Sequence, residues 1–193
     1  TSLLSLFLSM LFFFLFRKRK IKYRNYISMV LLFFIFMPAV SYGYVLLYKA
    51  SFSQELNQYF WEETGKSLFT GRQEIWATIF DSISDNFIFG LGLGAELSKI
   101  GITVSSHNLY LMLIYQIGLV GLVFFIIYFL SMTKIMFDEL YIYDDFASNL
   151  SISWVMAIMV HQGFEIFLFQ NNLAASFLFW FILSIPFSKR KVI

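Results

Sequence analysis

The chain has no cysteine among its 193 residues, which removes disulfides, thiol nucleophiles and thiolate metal ligands together, and with them any reading of redox compartment. Histidine and proline occur only twice each. Charged residues make up 13% of the chain and the formal net charge is +2, too small an excess to suggest a nucleic-acid partner. There is no internal repeat, low-complexity linker or stretch resembling a soluble domain. What is abundant is apolar surface. With 59% hydrophobic and 21% aromatic residues, the composition lies outside the range of soluble globular proteins and is that of a membrane protein.

The apolar residues fall into runs. The first, Ser2 to Phe16, is shorter than the roughly 20 residues a spanning helix needs. It is followed, not preceded, by the basic run Arg17-Lys18-Arg19-Lys20, the reverse of a signal peptide. The expectation is a truncated helix at the start of the C-terminal part of a longer protein. The loop Arg17 to Arg24 holds six of the fourteen Lys and Arg residues, so the positive-inside rule makes it cytoplasmic. A second run, Tyr26 to Tyr48, carries Pro38 near its middle and is expected to kink there. Residues 49–106 are mixed and polar, and form the one large extracytoplasmic loop, longer than a mere connection requires. Asn108 to Leu130 makes a complete span leading to an acidic cytoplasmic loop, and Ser148 to Phe169 with Leu173 to Phe187 make a hairpin. The hairpin returns Lys189-Arg190-Lys191 to the cytoplasm, which leaves ten basic residues inside and four outside. The expected fold is an all-α integral membrane protein of about five transmembrane helices, the first one truncated, plus an external loop with amphipathic helices. Residues 1–193 would be the C-terminal part of a larger multi-span bundle, and 107–187 its last three spans.

Two helix starts in the polar loop attract attention. Thr70 followed three residues later by Gln73 fits a capping box and predicts a helix with Ile75, Trp76, Ile79, Phe80 and Ile83 on one face. Gln73, Glu74, Asp81 and Asp85 fall on the opposite face, and the apolar face is expected on the bilayer or on the outer ends of the spans. Arg72 then sits in the first turn, where unpaired N–H groups and the positive dipole end favour an anion and a guanidinium adds a bidentate grip on phosphate. The plainer alternative pairs Arg72 with Glu74 or Glu63, or has it snorkel to lipid phosphates. At the next helix start, Ser105 or Ser106 can cap, which puts His107 in the first turn. A neutral imidazole there can accept a proton from a sugar hydroxyl, although a lone histidine also serves as an ordinary border residue. Asn108 either orients a substrate hydroxyl or extends the cap.

Other features are weaker. Gly90-Leu91-Gly92-Leu93-Gly94-Ala95 matches a dinucleotide fingerprint by letter, but it lacks the preceding strand and reads better as flexible turns. His161 and Glu165 are four apart on one face of a span, within reach of each other. With Gln162, Gln170, Asn171 and Asn172 they could line a polar glycan site, or act only as an interhelical clasp. The loop has no Asp-x-Asp, and Asp81 with Asp85 is one helical pair rather than a cation cage, so no catalytic metal and no cofactor are expected.

Taken together, Thr70-Gly71-Arg72 with Trp76, the Asn86-Phe87-Ile88-Phe89-Gly90-Leu91-Gly92 turn, and His107-Asn108 followed after nine residues by Gly118-Leu119-Val120-Gly121 resemble the O-antigen ligase and polymerase family. The pattern H-N-x9-G-x-x-G is the most specific part, and the resemblance covers about residues 60 to 190. It implies a bacterial glycosyltransferase, multi-pass in the cytoplasmic membrane, that moves a glycan from an undecaprenyl pyrophosphate carrier to an acceptor hydroxyl on the outer side without a metal or nucleotide sugar. It assigns Arg72 to the pyrophosphate and His107 to the acceptor, with Asn108, His161 and Glu165 as further substrate contacts. Donor glycan, acceptor glycan and bilayer are then the partners, with other polysaccharide-export proteins as candidates. The family's additional arginine in an earlier external loop is missing here, so this stretch alone should be inactive. Polymerisation of repeat units is the preferred activity and ligation of a finished polymer the alternative. A flippase or other transporter, for which the kinked span and His161 with Glu165 could be quoted, is the rival from another class. A purely structural membrane subunit is the remaining reading.

Overall fold

The computed structural model describes residues 2–19, 22–143, 146–166 and 173–185. Among them are seven α-helices, one 3-10 turn and no strand: α1 Ser2–Arg19, α2 Tyr23–Lys49, α3 Ser53–Thr64, α4 Arg72–Asp85, the 3-10 turn Leu97–Ile100, α5 Leu109–Tyr143, α6 Phe146–His161 and α7 Leu173–Ser184. Two helical stretches are long and apolar enough to cross a bilayer, Tyr23–Lys49 and Leu109–Asp138. Phe7–Arg17 and Phe146–His161 are apolar but shorter. α2 runs as one helix through Pro38.

The chain divides into two compact units, Thr1–Phe34 with Val123–Ile193, and Ile35–Leu122. In the first, the helices are joined by tilted and edge-to-face aromatic contacts and by small polar groups. Tyr26 and Phe137 lie 5.1 Å apart by ring centroid, Phe13 and Phe146 5.2 Å apart, and the Tyr23 hydroxyl donates to the Leu130 carbonyl at 2.8 Å. α6 buries Ser148, Asn149, Ser151 and Ser153, whose small side chains let helices approach closely. The Asn149 amide donates to the Phe13 carbonyl of α1 at 3.2 Å and the Ser151 hydroxyl to the Ile182 carbonyl of α7 at 2.8 Å.

The second unit holds one core: Val45 of α2, Trp76, Ile79 and Ile83 of α4, Ala95, Leu97 and Ile102 from the connection, and Leu111 and Tyr115 of α5. Ile75 and Phe80 pack against it, so the apolar face read from the sequence is the face that α4 buries. It packs against the last part of α2 and the first part of α5.

Candidate functional site

The α4 start departs from the expected capping box. Its cap residue is Gly71, in the left-handed region at φ 84°, and not Thr70. Gly71 has no side chain to accept from the first turn, so the helix begins without the cap bond that Thr70 would have supplied. Arg72 is the first helical residue and half-buried. Gln73 is also not where its polarity suggested. It is 4% exposed and shares the buried face with Trp76, Ile79 and Ile83, and its Oε1 has no hydrogen-bond partner among the described residues. The outward face keeps Glu74, Asp81 and Asp85, and the Glu74 carboxylate accepts from the Tyr48 hydroxyl at 3.2 Å.

His107 is likewise displaced from its expected place. Ser105, Ser106 and Asn108 are all able to cap at this helix start, and Asn108 takes the role: its Oδ1 accepts from the Leu111 N–H at 3.1 Å. Ser106 instead closes a local turn in which its Oγ accepts from the Asn108 N–H at 3.4 Å, and Ser105 Oγ accepts from the His107 N–H at 3.1 Å. His107 therefore lies just outside α5 rather than in its first turn. It is half-buried and, among the described residues, the only non-glycine with positive φ, 50°. That conformation costs roughly 1–2 kcal/mol for a residue with a Cβ and persists only where the surroundings fix it.

Two buried hydrogen bonds do the fixing. The Asn108 Nδ2 donates to Ser41 Oγ at 2.7 Å, while Ser41 donates in turn to the Met37 carbonyl at 2.9 Å, which joins the His107 turn to α2. The Trp76 indole N–H donates to the Ser106 carbonyl at 2.7 Å, which joins the same turn to α4. Arg72 precedes Trp76 by four residues, one helical turn and about 6 Å of rise on the same side of α4. The helix that carries the arginine is thus bonded to the residue next to the histidine. Tyr44 supports the junction with its ring 5.7 Å from Trp76. Neither Ser41 nor Trp76 was singled out for this from the sequence. Trp76 could have been, because an indole on a buried helix face needs an acceptor for its N–H.

The pattern H-N-x9-G-x-x-G has a physical origin here. α5 begins at its Asn108 cap and is interrupted at Gly118, where φ 62° and ψ −170° leave helical space. The interruption removes the partners of nearby backbone groups, and the glycine segment supplies them. Leu91 N–H donates to the Tyr115 carbonyl and Gly92 N–H to the Gln116 carbonyl, both at 2.9 Å. Beyond the break, Leu119 N–H donates to the Phe87 carbonyl at 2.9 Å and Val120 N–H to the Ile88 carbonyl at 3.1 Å. Backbones this close tolerate no side chain: a Cβ on Gly90 would lie 2.6 Å from the Gln116 carbonyl and the Gly118 nitrogen, and one on Gly118 would strike Gly90 and Ile88. Gly121 lies under the Ile117 side chain, which leaves a Cβ no room. The run expected to be flexible turns is turns, with Gly90, Gly92 and Gly94 at positive φ, but it is tied to a helix break.

His161 and Glu165 belong to the first unit. Ser148 to Phe169 was expected as one span, yet α6 ends at His161, and Gln162 to Phe164 form a turn in which the Phe164 N–H donates to the His161 carbonyl at 2.9 Å. Glu165 lies beyond the helix, so the two residues do not share a helical face, and its N–H donates to the His161 carbonyl at 3.0 Å. Gly163 breaks the apolar run here and was the available signal. His161 and Gln162 are buried and Glu165 half-buried. Gln170, Asn171 and Asn172 lie outside the described residues.

Comparison with curated proteins and with solved structures gives no match. A family model described as O-Antigen ligase matches residues 1–126. The match includes α4, the His107 turn and the break at Gly118, begins well before the stretch that the motifs marked, and ends before His161 and Glu165. With some two thirds of its length matched, together with helices apolar enough to span a bilayer, the chain is a membrane protein that belongs to the O-antigen ligase family.

Proposed function

We propose that the full-length protein polymerises undecaprenyl-pyrophosphate-linked oligosaccharide repeat units into a surface polysaccharide. The observation that carries this reading is the hydrogen bond between Trp76 and the Ser106 carbonyl, which couples the helix beginning at Arg72 to the turn holding His107. Family membership supplies the chemical class, glycan transfer between a lipid-linked donor and an acceptor. In the proposed reaction an acceptor hydroxyl oxygen attacks the anomeric carbon, the carbon–oxygen bond to the pyrophosphate breaks, and the lipid pyrophosphate leaves. Arg72 and the uncapped first turn of α4 stabilise the charge gathering on the leaving group. His107 takes the acceptor proton, and Asn108 holds the histidine turn in place through α2 and α5. His161 and Glu165 contribute to glycan binding, and no metal takes part.

This reading assigns residues 49–106 to the extracytoplasmic side of the bacterial cytoplasmic membrane and 107–187 to the last three of about five spans in the chain. Purified full-length protein given lipid-linked repeat units alone is expected to build a ladder of longer glycans, and Arg72→Ala at equal abundance to build it far more slowly. A requirement for a separate acceptor would identify a ligase instead, and an undiminished ladder from Arg72→Ala would remove the arginine from the mechanism.

A further inference from the structure

The segment Phe87–Leu93 carries five large apolar residues, Phe87, Ile88, Phe89, Leu91 and Leu93, and all are exposed, Phe89 to 75% and Leu93 to 88%. In water this would be a costly surface for a loop. The segment has no charged residue. Part of its backbone is paired: Leu91 and Gly92 donate to α5, Phe87 and Ile88 accept from α5, and the Gly90 N–H donates to the Asn86 carbonyl at 2.8 Å. Non-helical backbone is excluded from lipid where its polar groups go unpaired, and this pairing lowers the cost of holding the segment at the lipid border with only its side chains inserted.

Position along α5 supplies the occupant. From Leu119, the first residue after the break, to Asp138 is 20 residues, about 30 Å of helix and the thickness of a hydrocarbon core. Before the break, Leu109, Tyr110, Leu111, Leu113 and Tyr115 are buried in protein, whereas Leu119 and Val120 are exposed. Beyond the break α5 turns one apolar face outward, with Leu119, Val120, Val123, Phe124, Ile127 and Tyr128 exposed beside the buried Leu122 and Phe129, as a span facing lipid on one side does. The exposed carboxylates of Asp81 and Asp85, at the end of α4 just before the segment, hold that end near the polar head groups, because a carboxylate deeper down is expensive.

We propose that Phe87–Leu93 is a membrane-border anchor that inserts its apolar side chains into the acyl chains of the leaflet where α5 enters. The inference rests on α5 being a membrane span and is independent of how Arg72 and His107 act. It gives the glycine segment a task beyond closing the helix break, namely fixing the depth of the α4 end against the bilayer.

Nitroxide labels placed on Phe89→Cys and Leu93→Cys test this in full-length protein cleared of other cysteines and reconstituted in vesicles of phosphatidylethanolamine and phosphatidylglycerol. Glu62→Cys on α3 serves as the aqueous reference and Phe124→Cys on α5 as the span reference. Leu93 is so exposed that its label disturbs no packing. Labels at 89 and 93 are expected to relax more with oxygen than with a water-soluble nickel chelate, as at 124 and opposite to 62. A nickel-dominated response at both sites with 124 still lipid-like, or shielding from both reagents by a protein surface, overturns the anchor. A nickel-dominated response at 124 as well overturns the span on which it rests.

Discussion

Adding a single methyl group at three glycines of this family pattern should be harmful at two and mild at the third, because the space and the backbone angles differ. Gly118 combines φ 62° with ψ −170°, a region open essentially to glycine alone, and a Cβ there would strike Ile88 and Gly90. Alanine must either adopt that conformation, at about 1–3 kcal/mol, or displace the glycine segment. Displacement breaks up to four backbone hydrogen bonds to Leu91, Gly92, Phe87 and Ile88, each contributing about 0.5–1.5 kcal/mol. Because the Cβ clash with Gly90 and Ile88 rules out the first course, Gly118→Ala is expected to cost about 2–6 kcal/mol, a large share of the 5–15 kcal/mol typical of a folded protein. Gly90→Ala, with contacts of 2.6 Å to backbone, should be nearly as harmful. Gly92→Ala meets nothing within 4 Å and carries only the cost of φ 104°, about 1–2 kcal/mol. Membrane abundance and thermal midpoint of the detergent-extracted full-length proteins, followed by size-exclusion fluorescence, should rank Gly92→Ala well above the other two. Equal tolerance of all three would refute the view that the segment packs backbone to backbone against a broken α5.

The junction around His107 gives further tests. Trp76→Phe keeps the aromatic packing but leaves the Ser106 carbonyl without its donor, and should cost about 1–3 kcal/mol and lower transfer more than Ile79→Val does; an unchanged thermal midpoint with full transfer activity would argue against the tie. Asn108→Ala removes both a helix cap and the bond to Ser41 and should cost about 2–3 kcal/mol, whereas Asn108→Ser, which can still cap, should recover part of this in the same melting assay. Gln73→Leu removes a buried acceptor that has no partner among the described residues and is expected to raise stability by about 1 kcal/mol, seen as a higher thermal midpoint; a clear loss would mean that the amide is satisfied in the folded protein.

The apolar face of α4 was legible from spacing alone, because Trp76, Ile79 and Ile83 recur at helical intervals and burial follows that period. Gln73 was not, because polarity says where a side chain prefers to be and not where the backbone at Gly71 turns it. The cap at Asn108 was hidden by Ser105 and Ser106, which are equally able to cap and whose hydroxyls are used one step earlier in local turns. The break at Gly118 was visible as a letter pattern but not as an interruption, since apolar residues continue on both sides and hydropathy does not register a change of φ. The same blindness extended α6 past His161. The charge pattern and helical content were accessible early because they depend on local composition. The pairing of α4 with the His107 turn depends on a contact thirty residues apart in sequence, which no local signal carries.

The proposed partnership between Arg72 and His107 is tested most directly by a double-mutant cycle on the initial rate of glycan transfer, measured with full-length Arg72→Ala, His107→Ala and the double variant at equal membrane abundance. Each single change is expected to slow transfer by about 10²–10³, the loss of roughly 3–4 kcal/mol seen when a preorganised stabilising donor is removed. The double variant should be little slower than the worse single one, because groups serving one transition state lose their value together. Wild-type rates from either single variant, or losses that multiply in the double, would contradict a shared site.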